Sequence, residues 1–177
     1  MRVSTVGRYA LRAMVDLALQ QDREPVLRKD IVARQGISGD YLARLFGKLK
    51  QAGLIDSVMG PGGGYMLGRP ADKITAGDIL RAVDEVLVPV FCIDSDPALL
   101  CPRSESCATH LLWGRLGRTI VEFLDSVTLA ELCEQSAMLA QQERGEADLS
   151  HALAGDRRDA RWRGQFDDCV LIGGAGI

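Results

Sequence analysis

Three cysteines and one of the chain's two histidines stand within nineteen positions: Cys92, Cys101, Cys107 and His110, spaced C-x8-C-x5-C-x2-H. Thiolates are soft ligands that select zinc, copper(I) or iron–sulfur clusters. Three thiolates and an imidazole can complete a tetrahedral zinc site or the ligation of a two-iron cluster. Structural zinc usually takes its ligands as close pairs, about two to four residues apart. Intervals of eight and five residues contain no such pair. The spacing therefore favours a cluster over zinc, with redox thiols or no ligand as further alternatives. Haem attachment is excluded, because C-x-x-C-H is absent. Around the cysteines, Asp94, Ser95, Asp96, Pro97, Pro102, Ser104 and Ser106 make a loop composition. A loop whose order depends on what it binds suits a sensor.

The other elements must say what such a sensor controls. The 177 residues carry a net charge of −3, divided as +5 over residues 1–69 and −8 over residues 70–177. A basic N-terminal part suits nucleic-acid binding. No apolar run is long enough for a transmembrane helix, and the N-terminus lacks a secretory pattern, so a cytoplasmic protein without membrane association is expected. Five cysteines in a reducing compartment favour thiols or metal ligation over disulfides.

Ser4 or Thr5 can cap a first helix through Ala10, Leu11, Met14, Leu17 and Ala18, with Asp16 off the apolar stripe. Pro25, Val26 and Leu27 suit a turn and a brief strand. "RKDIVARQG" reads as a short helix stopped by Gly36, and Ser38 caps "GDYLARLFGKLKQAG", whose stripe is Leu42, Leu45, Phe46 and Leu49. Two helices joined by "QGIS" make a helix-turn-helix, whose second helix enters the major groove. Arg44 and Lys48 share its non-core face, and Asp40 and Tyr41 occupy its first turn. "LIDSVMGPGGGYMLG" follows as strand, glycine-rich tip and strand. A P-loop is excluded, because Tyr65 and Met66 stand where Lys and Ser/Thr are needed. The hairpin is then a wing, with backbone N–H groups of Gly62, Gly63 and Gly64 available to phosphate.

The expected fold is mainly α with a small β wing: a winged helix-turn-helix domain plus a long dimerisation helix. The boundaries are a DNA-binding domain at 1–70, a packing helix at 71–90 ended by Pro89, a cluster-binding loop at 91–110, a dimerisation helix at 111–135 and a flexible tail at 136–177. Thr75 with Asp78, and Thr128 with Glu131, are capping pairs. Ile79, Leu80, Val83 and Val86 form the packing face. Trp113, Leu116, Ile120, Phe123, Leu124 and Val127 form an apolar face that a single winged helix offers little surface to cover. It reads as a homodimer seam, the alternative being burial in a lone monomer. His151 and Cys169 fall in the aperiodic tail and are poor ligand candidates.

"MRVSTVGRYALRAMVDLAL", "RQGISGDYLARLFGKLKQAGL", "GPGGGYMLG", "AVDEV", "CATHLLW" and "DSVTLAEL" occur in this order. Over about residues 1–135 the chain thereby resembles the IscR-like iron–sulfur regulators of the bacterial Rrf-two family. The resemblance implies a winged-helix homodimer on double-stranded DNA; the DNA-binding candidates are Arg2, Ser38, Asp40, Tyr41, Arg44, Lys48 and the wing glycines Gly62, Gly63 and Gly64. It implies a 2Fe–2S cluster on Cys92, Cys101, Cys107 and His110, and control of cluster-assembly genes. The first interval, eight residues against a familiar five, keeps a 4Fe–4S cluster as the alternative. Met59 stands where relatives commonly carry arginine. An NsrR-like nitric oxide sensor would need an acidic group where this chain has Arg8. An iron–sulfur electron-transfer or thiol-redox protein would explain the cysteines but leave the winged helix unused. No nucleophile–base pair marks an enzyme.

Overall fold

The computed structural model describes residues 3–20, 24–60, 62–90, 93 and 106–155, with side chains described to residue 144. Helix α1 runs Thr5–Gln20 and buries Ala10, Ala13, Met14 and Leu17, the positions at helical spacing. Ser4 caps it: its hydroxyl accepts the Gly7 N–H at 3.1 Å. Helix α2, Arg28–Gln35, ends at Gly36, whose φ of 64° lets its N–H turn back to the Val32 carbonyl. Helix α3, Gly39–Gln51, is capped by Ser38, which accepts the Tyr41 N–H at 3.2 Å. Its stripe of Leu42, Leu45, Phe46 and Leu49 is buried against α1 and Ile31.

Strands β1, Ile55–Val58, and β2, Gly64–Leu67, pair antiparallel from Ile55 opposite Leu67 to Val58 opposite Gly64. The brief strand expected at Val26 forms as a bridge to Tyr65, with reciprocal bonds of 2.9 Å. A Cβ on Gly64 would strike the Val26 carbonyl, so this residue is glycine to admit the third strand segment. A 3-10 turn, Ala71–Lys73, leads to α4, Ala76–Ala82, where Thr75 and Asp78 form a reciprocal capping box. Helices α5, Ala108–Ser126, and α6, Leu129–Gly155, follow. The start of α6 is stitched to that of α4 by Ala76 N–H to Val127 O at 2.9 Å and Leu129 N–H to Ile74 O at 2.8 Å. Thr128 and Glu131 exchange the expected capping bonds.

Three expectations need correction. The packing helix stops at Ala82 rather than reaching Pro89, and Val86 is exposed rather than packed. Beyond the helix end, the Asp84 carboxylate meets Lys48 and the Glu85 carboxylate meets Ser4. Helical order does not fade at 136, since α6 continues to Gly155 and contains His151. That stretch is rich in Ala, Glu, Gln and Leu, which favour helix without any apolar period to reveal it. Cys169 lies outside the described residues. The chain divides into a unit ending at Ala137 and a second beginning at Met138.

The third correction is Asp16, which faces inward from α1 and is only 8% exposed. Arg34 donates to both its oxygens, at 2.8 and 2.9 Å, and Gln35 donates a third bond at 3.1 Å. The fork ties α1 to α2 and raises the Arg34 pKa, chiefly through the hydrogen bond to Asp16. Removing the carboxylate strands these donors, although Arg34 retains access to water. Asp16→Ala is expected to lose about 1–3 kcal/mol of stability, lowering Tm by roughly 3–10 °C. Thermal unfolding followed by circular dichroism checks this, and an unchanged Tm would show the fork to be dispensable.

Candidate nucleic-acid interface and cluster site

The helix-turn-helix presents the side of α3 opposite its buried stripe. Ser38 and Asp40 lie exposed at its N-terminus, and Arg44 and Lys48 follow along the same helix, also exposed. The N-terminal turn supplies unsatisfied N–H groups and a partial positive charge, the field a phosphate needs. Arg44 has no ion-pair partner among the described residues, so its guanidinium is free to read a base edge. Lys48 instead pairs with Asp84 at 2.8 Å. Lys50, not among the expected contacts, bonds Ser57 and ties α3 to the wing. Arg2 lies outside the described residues.

Tyr41 departs from expectation. Its ring is half-buried, edge-on to Tyr9 at 5.8 Å, and its hydroxyl is buried without a hydrogen-bond partner among the described residues. It packs under α3 instead of extending from it. Tyr9 in turn lies beneath the Arg12 guanidinium at 5.5 Å, and Arg12 donates to Gln35. The wing glycines divide. Gly62, exposed with φ of 79°, shapes the tip. The Gly63 N–H is already given to the Gly60 carbonyl at 2.9 Å, and Gly64 admits Val26. Of the three, only Gly62 is exposed. Met59 beside them is 93% exposed, an apolar side chain at the tip of the wing.

Of the four candidate ligands, Cys92 and Cys101 lie outside the described residues. Cys107 and His110 are brought together by α5: Cys107 is the N-cap residue and His110 completes the first turn, its N–H donating to the Cys107 carbonyl at 3.1 Å. The Cys107 thiol lies 3.0 Å from the Thr109 hydroxyl. That bond, with help from the His110 backbone, lowers its pKa and favours the thiolate a metal binds. His110 Nδ1 is buried and has no hydrogen-bond partner among the described residues. Cys133, by contrast, packs half-buried beneath Val15, and burial pushes its thiol up, toward the protonated form. It is a packing residue. The donor set thus fits a cluster: a thiol biased toward thiolate and an imidazole nitrogen whose bonding is otherwise unmet, one turn apart. Among the described residues no three metal-ligating side chains converge.

Helix α5 is anchored to the winged helix on one side only. Arg81 bonds Asp125 at 2.7 Å, which raises the Arg81 pKa, and Gly77 and Gly117 lack side chains where Asp125 and Ile93 approach. Gly117 is its single buried residue. Leu112, Leu116 and Phe123 are exposed, and Trp113, Ile120, Leu124 and Val127 are half-buried.

Residues 3–135 match the Rrf2 family, described as iron-dependent transcriptional regulators. The chain belongs to the Rrf2 family. The HTH-type transcriptional regulator IscR of Erwinia tasmaniensis is 44% identical over 144 residues, covering 81% of this chain and 86% of that protein. IscR of Vibrio vulnificus is 42% identical over 156 residues, covering 87% and 91%. Among solved structures, T. potens IscR superposes with a TM-score of 0.61 at 36% identity over 77% of this chain and 88% of that one. CymR (YrzC), the global cysteine regulator of B. subtilis, gives 0.63 at 36% identity over 76% and 98%. This Rrf2 protein is therefore a DNA-binding transcriptional regulator and not an enzyme. Among the described residues no helix is long and apolar enough to cross a membrane.

Proposed function

We propose that this Rrf2 regulator senses iron–sulfur cluster status and adjusts transcription of cluster-assembly genes from the cytoplasm. The observation that carries the reading is the pairing of Cys107 with His110, whose buried Nδ1 has no partner, on the first turn of α5. Cys92, Cys101, Cys107 and His110 would hold a 2Fe–2S cluster, which when bound supplies a one-electron couple and an occupancy that follows iron and oxidant supply. The chain's own residues do the rest. The segment between Cys92 and Cys107 joins α4 to α5 in the chain, so a cluster bound there bears on both helices. Arg81 and Asp125 pass a displacement of α5 to α4, which packs against α1 and α3. Two copies joined through the exposed face of α5 would present two α3 helices to one duplex. Arg8, exposed and bonded to Thr5, offers no carboxylate for an NsrR-like ligand set.

Anaerobic purification with absorption spectroscopy and iron and sulfide analysis, followed by footprinting with and without the cluster, tests the reading. A coloured protein that leaves DNA unprotected in both states would sink it. For the interface itself, Arg44→Ala is expected to cost ~1–3 kcal/mol of affinity, concentrated at one base position. Binding to single-base operator variants checks this; equal affinity at every position would mean that another face docks.

A further inference from the structure

Among the described residues Asp84 is the one non-glycine with a positive φ, 59°. It stands just beyond α4, with its N–H on Arg81 O and the Glu85 N–H on Leu80 O, both at 3.0 Å. Glycine fills this left-handed helix-ending position without steric cost. Aspartate also enters this region, and it adds a carboxylate that glycine would lack. The Asp84 carboxylate reaches across 36 residues to Lys48 Nζ at 2.8 Å. Lys48 lies one turn beyond Arg44 on α3 and is 45% exposed. The turn cannot swing freely, because Glu85 accepts the Ser4 N–H at 2.8 Å and also bonds the Ser4 hydroxyl.

We propose that Asp84 is an internal competitor for DNA: its carboxylate occupies, at Lys48, the place of a phosphate oxygen, and so holds down the affinity of α3 for duplex DNA. Carboxylate and phosphate oxygens are alike as anionic acceptors, and an ammonium is a compact point charge that either can satisfy. With Asp84 itself 81% exposed, the pair is a surface one that opens readily, so the competitor tunes binding without blocking it. The inference rests on the reading that α3 docks through Arg44 and Lys48.

Asp84→Asn removes the charge and keeps a residue that tolerates the left-handed backbone. The full chain, purified anaerobically, is titrated across a salt series with a duplex that the unaltered protein selects from a random library. Asp84→Asn is expected to bind about two- to fivefold tighter at low salt. Its slope of log affinity against log salt should steepen by a fraction of the roughly 0.9 that a whole phosphate contact contributes. In a Lys48→Gln background the same substitution should leave the slope unchanged. Unchanged affinity and slope in Asp84→Asn, weaker binding, or an equal gain in the Lys48→Gln background would each overturn the proposal. Arg44→Ala separates the two levels. If it weakens binding while Asp84→Asn does nothing, only the competitor is lost. If neither variant changes binding, the docking of α3 is lost as well.

Discussion

Cys107→Ala is expected to abolish the visible absorption of the anaerobically purified protein while leaving it folded. Iron held by thiolate cannot keep its place when a methyl group replaces the sulfur. The fold should survive because Cys107 is a helix cap residue outside the core, and its side chain makes no cap bond. Far-ultraviolet circular dichroism should therefore stay near that of the unaltered chain. Cys92→Ala and Cys101→Ala should behave alike. His110→Cys is the informative contrast. An anionic thiolate in place of a neutral imidazole makes the cluster more negative, so absorption should persist and the reduction potential fall. Retention of the full spectrum in Cys107→Ala would remove this residue from the ligand set. Loss of the spectrum in all variants together with loss of helicity would show that the cysteines maintain the fold.

A charge placed on the exposed face of α5 should have a large effect on DNA binding. Phe123 is 65% exposed, so Phe123→Asp disturbs little within the chain itself. At a seam between two copies it would bury unpaired carboxylates among apolar side chains, at a cost of several kcal/mol. Sedimentation at micromolar concentration should then show a monomer. Affinity for a palindromic site should fall by about 10²–10⁴-fold, because the second half-site no longer benefits from the first. Affinity for an isolated half-site should be unchanged. A variant that sediments as a dimer with full affinity would place the seam on another surface.

Much of this molecule was legible because its signals are local. A cap bond spans three residues, so Ser38, Thr75 and Thr128 could be assigned from their neighbours. The stripe of α3 and the glycine-rich tip of the wing are likewise periodicities and conformational preferences within a few positions. The ligand candidates were legible as residue types and spacing, and the membership of Cys107 and His110 in one turn follows from the helix that begins at Ala108. Tertiary contact decided the rest. Asp16 and Arg34 are 18 residues apart and Lys48 and Asp84 are 36 apart, and nothing in either neighbourhood says that they meet. A charge off the apolar stripe reads as solvated until another helix supplies its partner, which is why Asp16 was expected outside and is inside. Tyr41 was expected to face DNA, and the Tyr9 ring took it inward. Gly64 was expected to serve phosphate, and a strand segment nearly 40 residues earlier, at Val26, determines why it is glycine. Helix propensity without an apolar period carried α6 on to Gly155, because propensity sums quietly over many residues while periodicity announces only faces that pack. Sequence alone thus determined which elements form and which side chains carry chemistry. Packing alone determined which of those side chains remain free to use it, since burial and pairing depend on neighbours that only the folded chain brings near.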